Sequence, residues 1–591
     1  MKSALFQESL QTIETAEKSA RLHSNRIVFY RFCSFCLTIV FAAAGYDYSP
    51  LFYGASVALG LIFLRLLQLH KRIKSRQQLL QNRHEVLLQY LARLSTSWHE
   101  FPETGTAYLS EDMPEGRDLD IFGPASLYQY ICSARTALGR KKLAAALSPT
   151  PPPAAIIAQR QAAAAEFIAK PKLSLELQAL SRLLPDNHDT RRLIEQLESP
   201  RDLSSRLMQL SATILPLLTL GSLLGSAAGK IPWEIAGALM FLQFCLASFF
   251  YTRTAVFLAP LFEFYRALKP YEQLFSLWEN VSLQSAYLRE LQQELQTGSG
   301  ANAAIRQLRR IGEFSNMRRN IFCYVVANSL LLWDFHCILQ FSRWKENTAQ
   351  HMRSWLNAFA EIELLLSLAV IGQVKEEYVF PTILPDQAPA LQAGEIKHIL
   401  LSESTAVANS LQAVGGTYIL TGSNMSGKTT FLRTLAASAI LAYAGAPVCA
   451  HDFALSRMQV FTSMRVQDDI SRGLSTFYAE LLRIKSMVEY SRKELPMFAL
   501  IDEIFKGTNS ADRIIGAQEA IRKLSQPWSM TFVSTHDFEL CDMAKEQKLP
   551  ITNYHFAEYY QGDEIHFDYK LKPGRCQSTN AKYLLKLAGI L

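Results

Sequence analysis

The 591-residue sequence predicts a mixed fold: an α-helical core with two transmembrane helical hairpins, followed by a C-terminal α/β domain. Three observations carry this prediction. Four apolar stretches come in two close pairs, each near the roughly 20 residues that cross a bilayer core. Helical periodicity with few glycines or prolines fills most of 70–100, 155–206 and 259–380. From about residue 385, short β-branched or apolar runs alternate with helical segments, the texture of a parallel sheet.

Composition supports the first observation. Hydrophobic residues make up 49% and charged residues only 19%, low for a soluble chain of this length. The net charge of +7 suits an anionic partner, nucleic acid or lipid headgroup, without choosing between them. The nine cysteines are scattered. Cys33 and Cys36 form a C-x-x-C inside an apolar run, with no second pair at zinc-ribbon spacing, and read as apolar filler in a reducing compartment. Residues 1–26 are polar and helical, with no signal-peptide cleavage pattern.

The first apolar stretch runs from Ile27 to about Tyr46, and a turn at Asp47–Pro50 leads into the second, residues 51–69. The third covers 207–229 and the fourth about Trp233–Tyr251, joined through Lys230-Ile231-Pro232. Basic residues orient both pairs. Lys18, Arg21 and Arg26 precede the first, and Lys71, Arg72, Lys74 and Arg76 follow it. Arg201, Arg206, Arg253 and Arg266 flank the second pair, whereas the two turns hold only Lys230. Both hairpins are therefore expected to enter from the cytoplasm and return. Both termini then stay cytoplasmic, in a multi-pass protein of a bacterial inner membrane. Arg31 and Arg65 lie near the cytoplasmic ends, where they snorkel. The competing reading is four buried helices of a soluble protein. Gly221, Gly225 and Gly229, four apart, make a small-residue ridge for close helix packing or dimerisation, or simply a turn-proximal packing within the hairpin. A fifth run, residues 320–333, is cut short by Asp334 and His336 and reads as a core helix.

Chemistry concentrates in the last third. Tyr418-Ile419-Leu420 reads as a strand, Gly422–Lys428 as a loop and Thr429 onward as a helix. The segment Gly422-Ser423-Asn424-Met425-Ser426-Gly427-Lys428-Thr429 fits G-x-x-x-x-G-K-[ST], and strand–loop–helix is the context a P-loop needs. Backbone N–H groups at a helix N-terminus cradle phosphate, Lys428 reaches the β- and γ-phosphates, and the Thr429 hydroxyl is placed for Mg²⁺. In FALIDEIFKGT, residues 498–508, an apolar strand ends in Asp502-Glu503, an acid for Mg²⁺ and a base for water. In TFVSTHDFEL, residues 531–540, a second strand ends before His536, which can sense a γ-phosphate. Between them, Asp468–Glu480 offers serine, glycine and a helix start to an anion. In dimeric ATPases of the ATP-binding-cassette type, the segment reaching the partner's nucleotide occupies this place.

These residues resemble a known family. TGSNMSGKTTFLRT is similar to the P-loop of the MutS mismatch-repair ATPases, whose Asn-Met-x-Gly-Lys core is narrower than the generic pattern. DDISRGLSTFYAEL, LIDEIFKGTNSADR, STHDFEL and FTSMRVQDD resemble that family's signature segment, acidic strand with D-loop, switch histidine and joining segment. Val407-Ala408-Asn409 resembles its adenine-pocket loop, although His398-Ile399 stands where a His-Pro pair is expected. Residues 118–143 and Gln159–Ala162 resemble the start of its helical core. The likeness is strong over about 395–591 and weaker over about 110–390.

The resemblance implies a C-terminal P-loop ATPase domain of the ATP-binding-cassette type with ATP and Mg²⁺ as cofactors. Gly422 to Thr430 (Gly422, Ser423, Asn424, Met425, Ser426, Gly427, Lys428, Thr429, Thr430) and Asn409 would bind ATP. Thr429 and Asp502 would hold the metal, Glu503 would be the base and His536 the switch. Ser475 and Thr476 would reach ATP on a second copy, which implies a homodimer. DNA is a partner by resemblance only. The domain layout expected is 1–105 with the first hairpin (about 27–46 and 51–69), 106–206 as the first part of the helical core, 207–255 as the second hairpin, 256–390 as core and lever helices, and 391–591 as the ATPase domain. No room is left for the family's mismatch-reading domain. Arg306, Arg309, Arg310, Arg318 and Arg319 could meet nucleic-acid phosphates or anionic lipid alike. The main expectation is a membrane-anchored ATPase acting on mismatched or distorted DNA. Its rival is a membrane mechanoenzyme without a DNA role.

Overall fold

The computed structural model describes residues 2–95, 97–185, 194, 195, 197, 205–385, 388–423, 425–465, 476–505, 510–546, 549–561 and 564–576. In chain order the longer helices are α1 (Lys2–Asp47), α2 (Leu51–Leu94), α3 (Ala154–Ala169), α4 (Arg206–Ala227), α5 (Trp233–Phe249), α6 (Tyr251–Asn280), α7 (Ala301–Ser315), α8 (Ile321–Leu331) and α9 (Trp333–Val374). After α9 come β1 (Thr382–Ile383), β2 (Ala390–Ile396), β3 (Asn409–Val414), β4 (Gly416–Thr421), α10 (Lys428–Ala444), β5 (Asp452–Leu455) and β6 (Gln459–Ser463). Helix α11 (Thr476–Ser491), β7 (Met497–Asp502), α12 (Ser510–Leu524), β8 (Ser529–Ser534), β9 (Ile551–Gln561) and β10 (Glu564–Pro573) complete the order. The chain divides into two compact units, one holding 1–134, 140–175 and 364–591, the other 135–139 and 176–363.

In the first unit, a six-stranded sheet has the order β10-β9-β4-β8-β7-β6. All neighbours are parallel except the edge hairpin β9–β10. Strands β4, β7 and β8 are buried almost throughout, as their near-continuous apolar runs require. Helix α10 covers one face and α11 and α12 pack over a cluster that includes Ile501, Ile521 and Val533. A smaller sheet, β1-β5-β2-β3, adjoins it in sequence.

The same unit carries α1 and α2, an antiparallel pair. Pro50 opens α2, where a missing N–H costs nothing. Ser56 Oγ donates to the Thr38 carbonyl at 2.9 Å, and the Tyr53 ring lies where a side chain on Gly45 would stand. At the base of the pair, Lys2 Nζ donates to the Gly372 carbonyl at 2.7 Å and to that of Lys375, at the end of α9. The Tyr90 hydroxyl at the far end of α2 donates to Gln373 Oε1.

Among its described residues the second unit has helices and no strand. Met208 and Ala212 of α4 pack with Ala247 of α5 and with Phe335, Ile338 and Leu339 of α9. Trp344 Nε1 donates to the Ala304 carbonyl at 2.8 Å, tying α9 to α7. Gln243 of α5 is fully buried and donates to Thr219 of α4, a polar clasp between the two apolar helices. Helices α5 and α6 meet at a bend of 62°.

Among the described residues, four helices have the length and apolarity to cross a membrane, α1, α2, α4 and α9, and the bent pair α5–α6 is a fifth candidate. Burial separates them: the apolar stretch of α9 is 94% buried within the protein, against 6%, 0% and 28% for α1, α2 and α4. Helix α9 is thus a core helix. The expectation that 320–333 is a core helix is corrected. On α8, Ile321, Phe322, Val325 and Val326 in the first half are exposed, while Asn328 and Ser329 in the second half are buried. Its sequence is apolar on all sides, and α5 and α4 cover only one of them. In the glycine ridge, Gly225 faces its own hairpin's Ile231, and Gly221 and Gly229 face nothing within 4 Å.

Candidate functional site: a phosphate loop beside an acidic strand end

Strand β4 lies at the centre of the six-stranded sheet, and its carboxyl end feeds the loop at Gly422–Gly427 and then α10. Ligands in open parallel sheets settle at such carboxyl ends. The loop needs two of its glycines. Gly422 has φ 144°, and a Cβ there would stand 2.7 Å from the Phe556 carbonyl. Gly427 has φ 99°, and a Cβ would press the Tyr569 ring at 3.1 Å. Lys428 Nζ donates to the Gly422 and Ser423 carbonyls, both at 2.7 Å, so the ammonium sits over the loop. Ser426 is buried and its Oγ donates to the Ser423 carbonyl at 2.8 Å; Met425 is exposed. Thr430 is exposed in the first turn of α10. Asn424 lies outside the described residues.

The acidic strand ends beside this loop because the sheet register puts it there. Asp502 pairs with Ser534 across β7 and β8, and Leu420 of β4 pairs with Ser534 on the other side. Thr429 Oγ1 donates to Asp502 Oδ2 at 2.8 Å, and Ser534 Oγ donates to Asp502 Oδ1. One carboxylate and one hydroxyl at a phosphate loop form a hard-oxygen set of the kind Mg²⁺ accepts, with phosphate oxygens and water filling the rest. Among the described residues no group of three His, Cys, Asp or Glu gathers to hold a metal by protein ligands alone.

Glu503 follows with φ 56°, a conformation a β-branched or bulky residue rarely holds. Its N–H donates to the Ser534 carbonyl and hydroxyl, both at 3.1 Å, which fixes the turn. The side chain, half-buried, lies 3.3 Å from His536 Nε2. The carboxylate is therefore held at the loop's mouth with an imidazole beside it, an arrangement that can accept a proton from water and pass orientation between strand ends. Phe505 N–H donates to the buried Glu480 of α11, which ties the acidic turn to the helix after the signature segment. Ser475 lies outside the described residues, as does the rest of 466–475. Thr476 begins α11, and its side chain falls outside them too.

A cavity of about 710 Å³ opens beside the loop, within the range of small-molecule sites. Phe431, Phe556, Phe567, Tyr569, Ile396 and Val407 supply apolar walls, and Lys428 and Thr429 stand at its polar end. Asn409 is in the wall, but both ends of its amide serve the backbone. Its Nδ2 donates to the Tyr569 carbonyl at 2.9 Å and its Oδ1 accepts from Leu571 N–H at 2.8 Å. Asn409 thus holds β10, and Tyr569 with it, against the cavity. Sequence reasoning missed the aromatic walls of β9 and β10. They lie more than 120 residues beyond the loop, and only the parallel β4–β9 pairing brings them near. His398 also lines the cavity, and desolvation, ahead of the opposing pull of Asp120, lowers its pKa to about 4.

A second cluster supports the site from below. Asp118 is fully buried and accepts from Thr462 Oγ1 at 2.8 Å, Met464 N–H at 3.0 Å, Arg465 N–H at 3.2 Å and Arg483 at 2.7 Å. Asp120, at φ 52°, accepts from Arg433 of α10 at 3.2 Å and from Arg465. The turn 115–120 therefore grips both the phosphate-loop helix and the chain leaving β6. Glu115, buried beside Asp118, has its pKa raised to about 7, first by desolvation.

Residues 418–590 match the family model for MutS domain V. A DNA mismatch repair protein MutS of Natronomonas pharaonis is 30% identical over 246 residues, 41% of this chain and 28% of that protein. The MutS of Halalkalibacterium halodurans is 28% identical over 268 residues, 44% of this chain and 30% of that protein. A DNA mismatch repair protein HexA of Streptococcus pneumoniae is 27% identical over 247 residues, 41% of this chain and 29% of that protein. The similarity thus spans less than a third of each relative's length. Through this C-terminal part the chain is similar to MutS-family proteins.

Proposed function

We propose that the chain is a membrane-anchored ATPase that binds and hydrolyses ATP at a dimer interface and couples the cycle to binding of mismatched or distorted DNA. One observation carries the enzymatic part: Thr429, in the wall of a nucleotide-sized cavity, donates to Asp502, and hydrogen bonds run on from Asp502 to Ser534 and Glu503, with His536 beside Glu503. The aromatic walls take the base, and Lys428 with the N–H groups at the start of α10 takes the phosphates. Thr429 and Asp502 would hold Mg²⁺, which would neutralise the phosphate charge that builds during transfer. Glu503 receives the proton of the attacking water, and His536 keeps its carboxylate aimed. Ser475 and Thr476 of each copy complete the other's site. DNA enters through the names of the relatives, which are mismatch repair proteins.

The membrane part rests on the bare apolar surfaces of α1, α2 and α4 and of α8, with α5 leading out at a bend. A solvated surface of this size is otherwise rare, since large exposed apolar patches mark membrane or protein contacts. The same surfaces favour a second reading, a mechanoenzyme in which ATP-driven closure of the dimer works on the membrane helices without DNA.

DNA retention and DNA-stimulated ATPase activity of the detergent-purified chain decide between the two. Stimulation by mismatched duplex, lost with rising salt, is the expected result. ATPase activity indifferent to every duplex and single strand sinks the DNA arm and leaves the mechanoenzyme. A light-scattering mass that stays monomeric with ATP and Mg²⁺ sinks the composite site.

A further inference from the structure

Two polar stripes meet in the second unit away from the nucleotide site. Arg206, Gln209, Leu210 and Thr213 recur at helical spacing on one face of α4, and His336, Leu339, Gln340 and Arg343 recur with the same spacing on α9. Met208 and Ala212 of α4 pack on Phe335, Ile338 and Leu339 of α9 beside them, so the stripes are held side by side. Between them lies a cavity of about 570 Å³. Ser205 caps α4 by accepting from Met208 N–H at 3.1 Å, which fixes the first turn that carries Arg206. Among the described residues neither arginine, nor the His336 ring, has an ion-pair or hydrogen-bond partner. Two unpaired cations, an imidazole and two amides around a void form a receptor for a phosphate group.

We propose that this cavity binds the phosphate of an anionic phospholipid. The inference rests on the membrane reading above and adds a site to it. The source of the phosphate follows from what borders the cavity. Leu207 and Leu210, 79% and 56% exposed, continue from its rim along the bare face of α4, followed by Ile214, Leu217 and Leu218. A headgroup in the cavity places its acyl chains along that face. Arg206 opens the apolar stretch at the end where Arg201 and Arg206 mark the cytoplasmic side, and basic pockets between helices at that level take anionic headgroups. A nucleic-acid backbone would have to lie across those leucines.

The test uses the full chain, purified in neutral detergent and offered phosphatidylglycerol or phosphatidylcholine, with retained lipid read by native mass spectrometry. The wild type is expected to keep phosphatidylglycerol selectively. Arg206→Gln with Arg343→Gln is expected to lose about thirtyfold in apparent affinity, on the order of fivefold per arginine. Arg206→Lys with Arg343→Lys should keep most of it. If the glutamine pair does not fold, the two single glutamine variants carry the measurement. Selectivity unchanged in the pair, or in both single variants, overturns the proposal. Inorganic phosphate displacing the lipid at equal concentration overturns the lipid as source, and so does a duplex oligonucleotide whose binding depends on these two arginines. Carbonate washing of membranes separates the layers of the argument. A chain that stays in the pellet without lipid selectivity refutes this site alone, and a chain released to the supernatant refutes the membrane reading itself.

Discussion

Replacing Asp118 by Asn tests whether the buried turn at 115–120 holds the edge of the six-stranded sheet. The carboxylate accepts four donors and is fully buried. An amide of the same shape keeps one oxygen but turns an NH₂ toward the remaining donors and leaves Arg483 without its counter-charge. Each charge-assisted bond is worth about 1.5–3 kcal/mol, and removing one member of a buried pair costs about 3–5 kcal/mol. A local loss of about 3 kcal/mol corresponds to roughly a hundredfold faster exchange. Amide hydrogen exchange reads this directly, because Met464 and Arg465 N–H both end on Asp118. Their exchange should accelerate by that factor while strand β4 keeps its protection. Combining Asp118→Asn with Arg483→Gln should recover part of the loss, with a coupling of about 1–3 kcal/mol. Acceleration of less than about threefold at Met464 and Arg465, or strict additivity of the two changes, refutes the reasoning.

The catalytic assignments give two further expectations. Glu503→Gln should keep ATP affinity and lower turnover by about 10²–10⁴, as measured by nucleotide binding beside steady-state phosphate release; undiminished turnover removes Glu503 as the base. Ser534→Ala, which strips Asp502 Oδ1 of its hydroxyl donor, should raise the Mg²⁺ needed for half-maximal ATPase activity by about 10–100-fold. Stability should show two opposing pH slopes. Glu115, with its pKa raised from 4.5 to about 7, contributes stability fully present below about 4.5 that is lost as pH rises toward 7. His398, lowered from 6.5 to about 4, contributes stability present above 6.5 that is lost as pH falls toward 4. Each amounts to about 3 kcal/mol at most, so Glu115→Gln should leave stability rising with pH across that window and His398→Gln should leave it falling, in urea titrations at pH 5 and 7.5. Gly445→Ala should lower the melting temperature by several degrees. Gly445 has φ 89°, and its Cβ would stand 2.5 Å from Arg160 Cβ and 3.2 Å from the Ile157 carbonyl on α3.

The strand–loop–helix at 418–444 and the acid at 502 were legible because their spacing is dictated by phosphate chemistry, which tolerates few alternatives. The place of His536 beside Glu503 was legible for the same reason, since the end of one strand must face the end of its neighbour. What the sequence did not disclose depends on pairing between distant segments. Asn409 looks like a base-contact residue in one dimension, and in three it lines the cavity while its amide also holds Tyr569 and Leu571 of β10. Asp118 sits in a stretch notable only for family likeness, until folding brings it against Thr462 across a sequence separation of 344 residues. Hydropathy separated apolar from polar helices but not buried from bare. Helix α9 has the composition of a membrane span and lies inside protein, whereas the shorter α8 resembles a core helix and leaves half its surface open. Length and apolarity report what a helix can face, and only packing reports what it does face.

The stitching of Lys2 to the last turn of α9 has a mechanical consequence. Helix α1 is a rod of 46 residues, about 69 Å long, of which the polar part before Ile27 accounts for about 37 Å. Its base is fastened at Gly372 and Lys375, and its partner α2 is fastened at Gln373, a few residues away. Next to this clamp, Lys375 also donates to the Leu401 carbonyl at 3.2 Å and Glu376 N–H to Glu403 at 3.4 Å, on the loop that forms one wall of the cavity beside Lys428. A rod fixed at its foot amplifies rotation into travel. A tilt of about 5° at the clamp carries the far tip about 6 Å, roughly one helical turn. The same geometry runs in reverse, so tension or curvature felt at the tip would arrive at the cavity wall as torque.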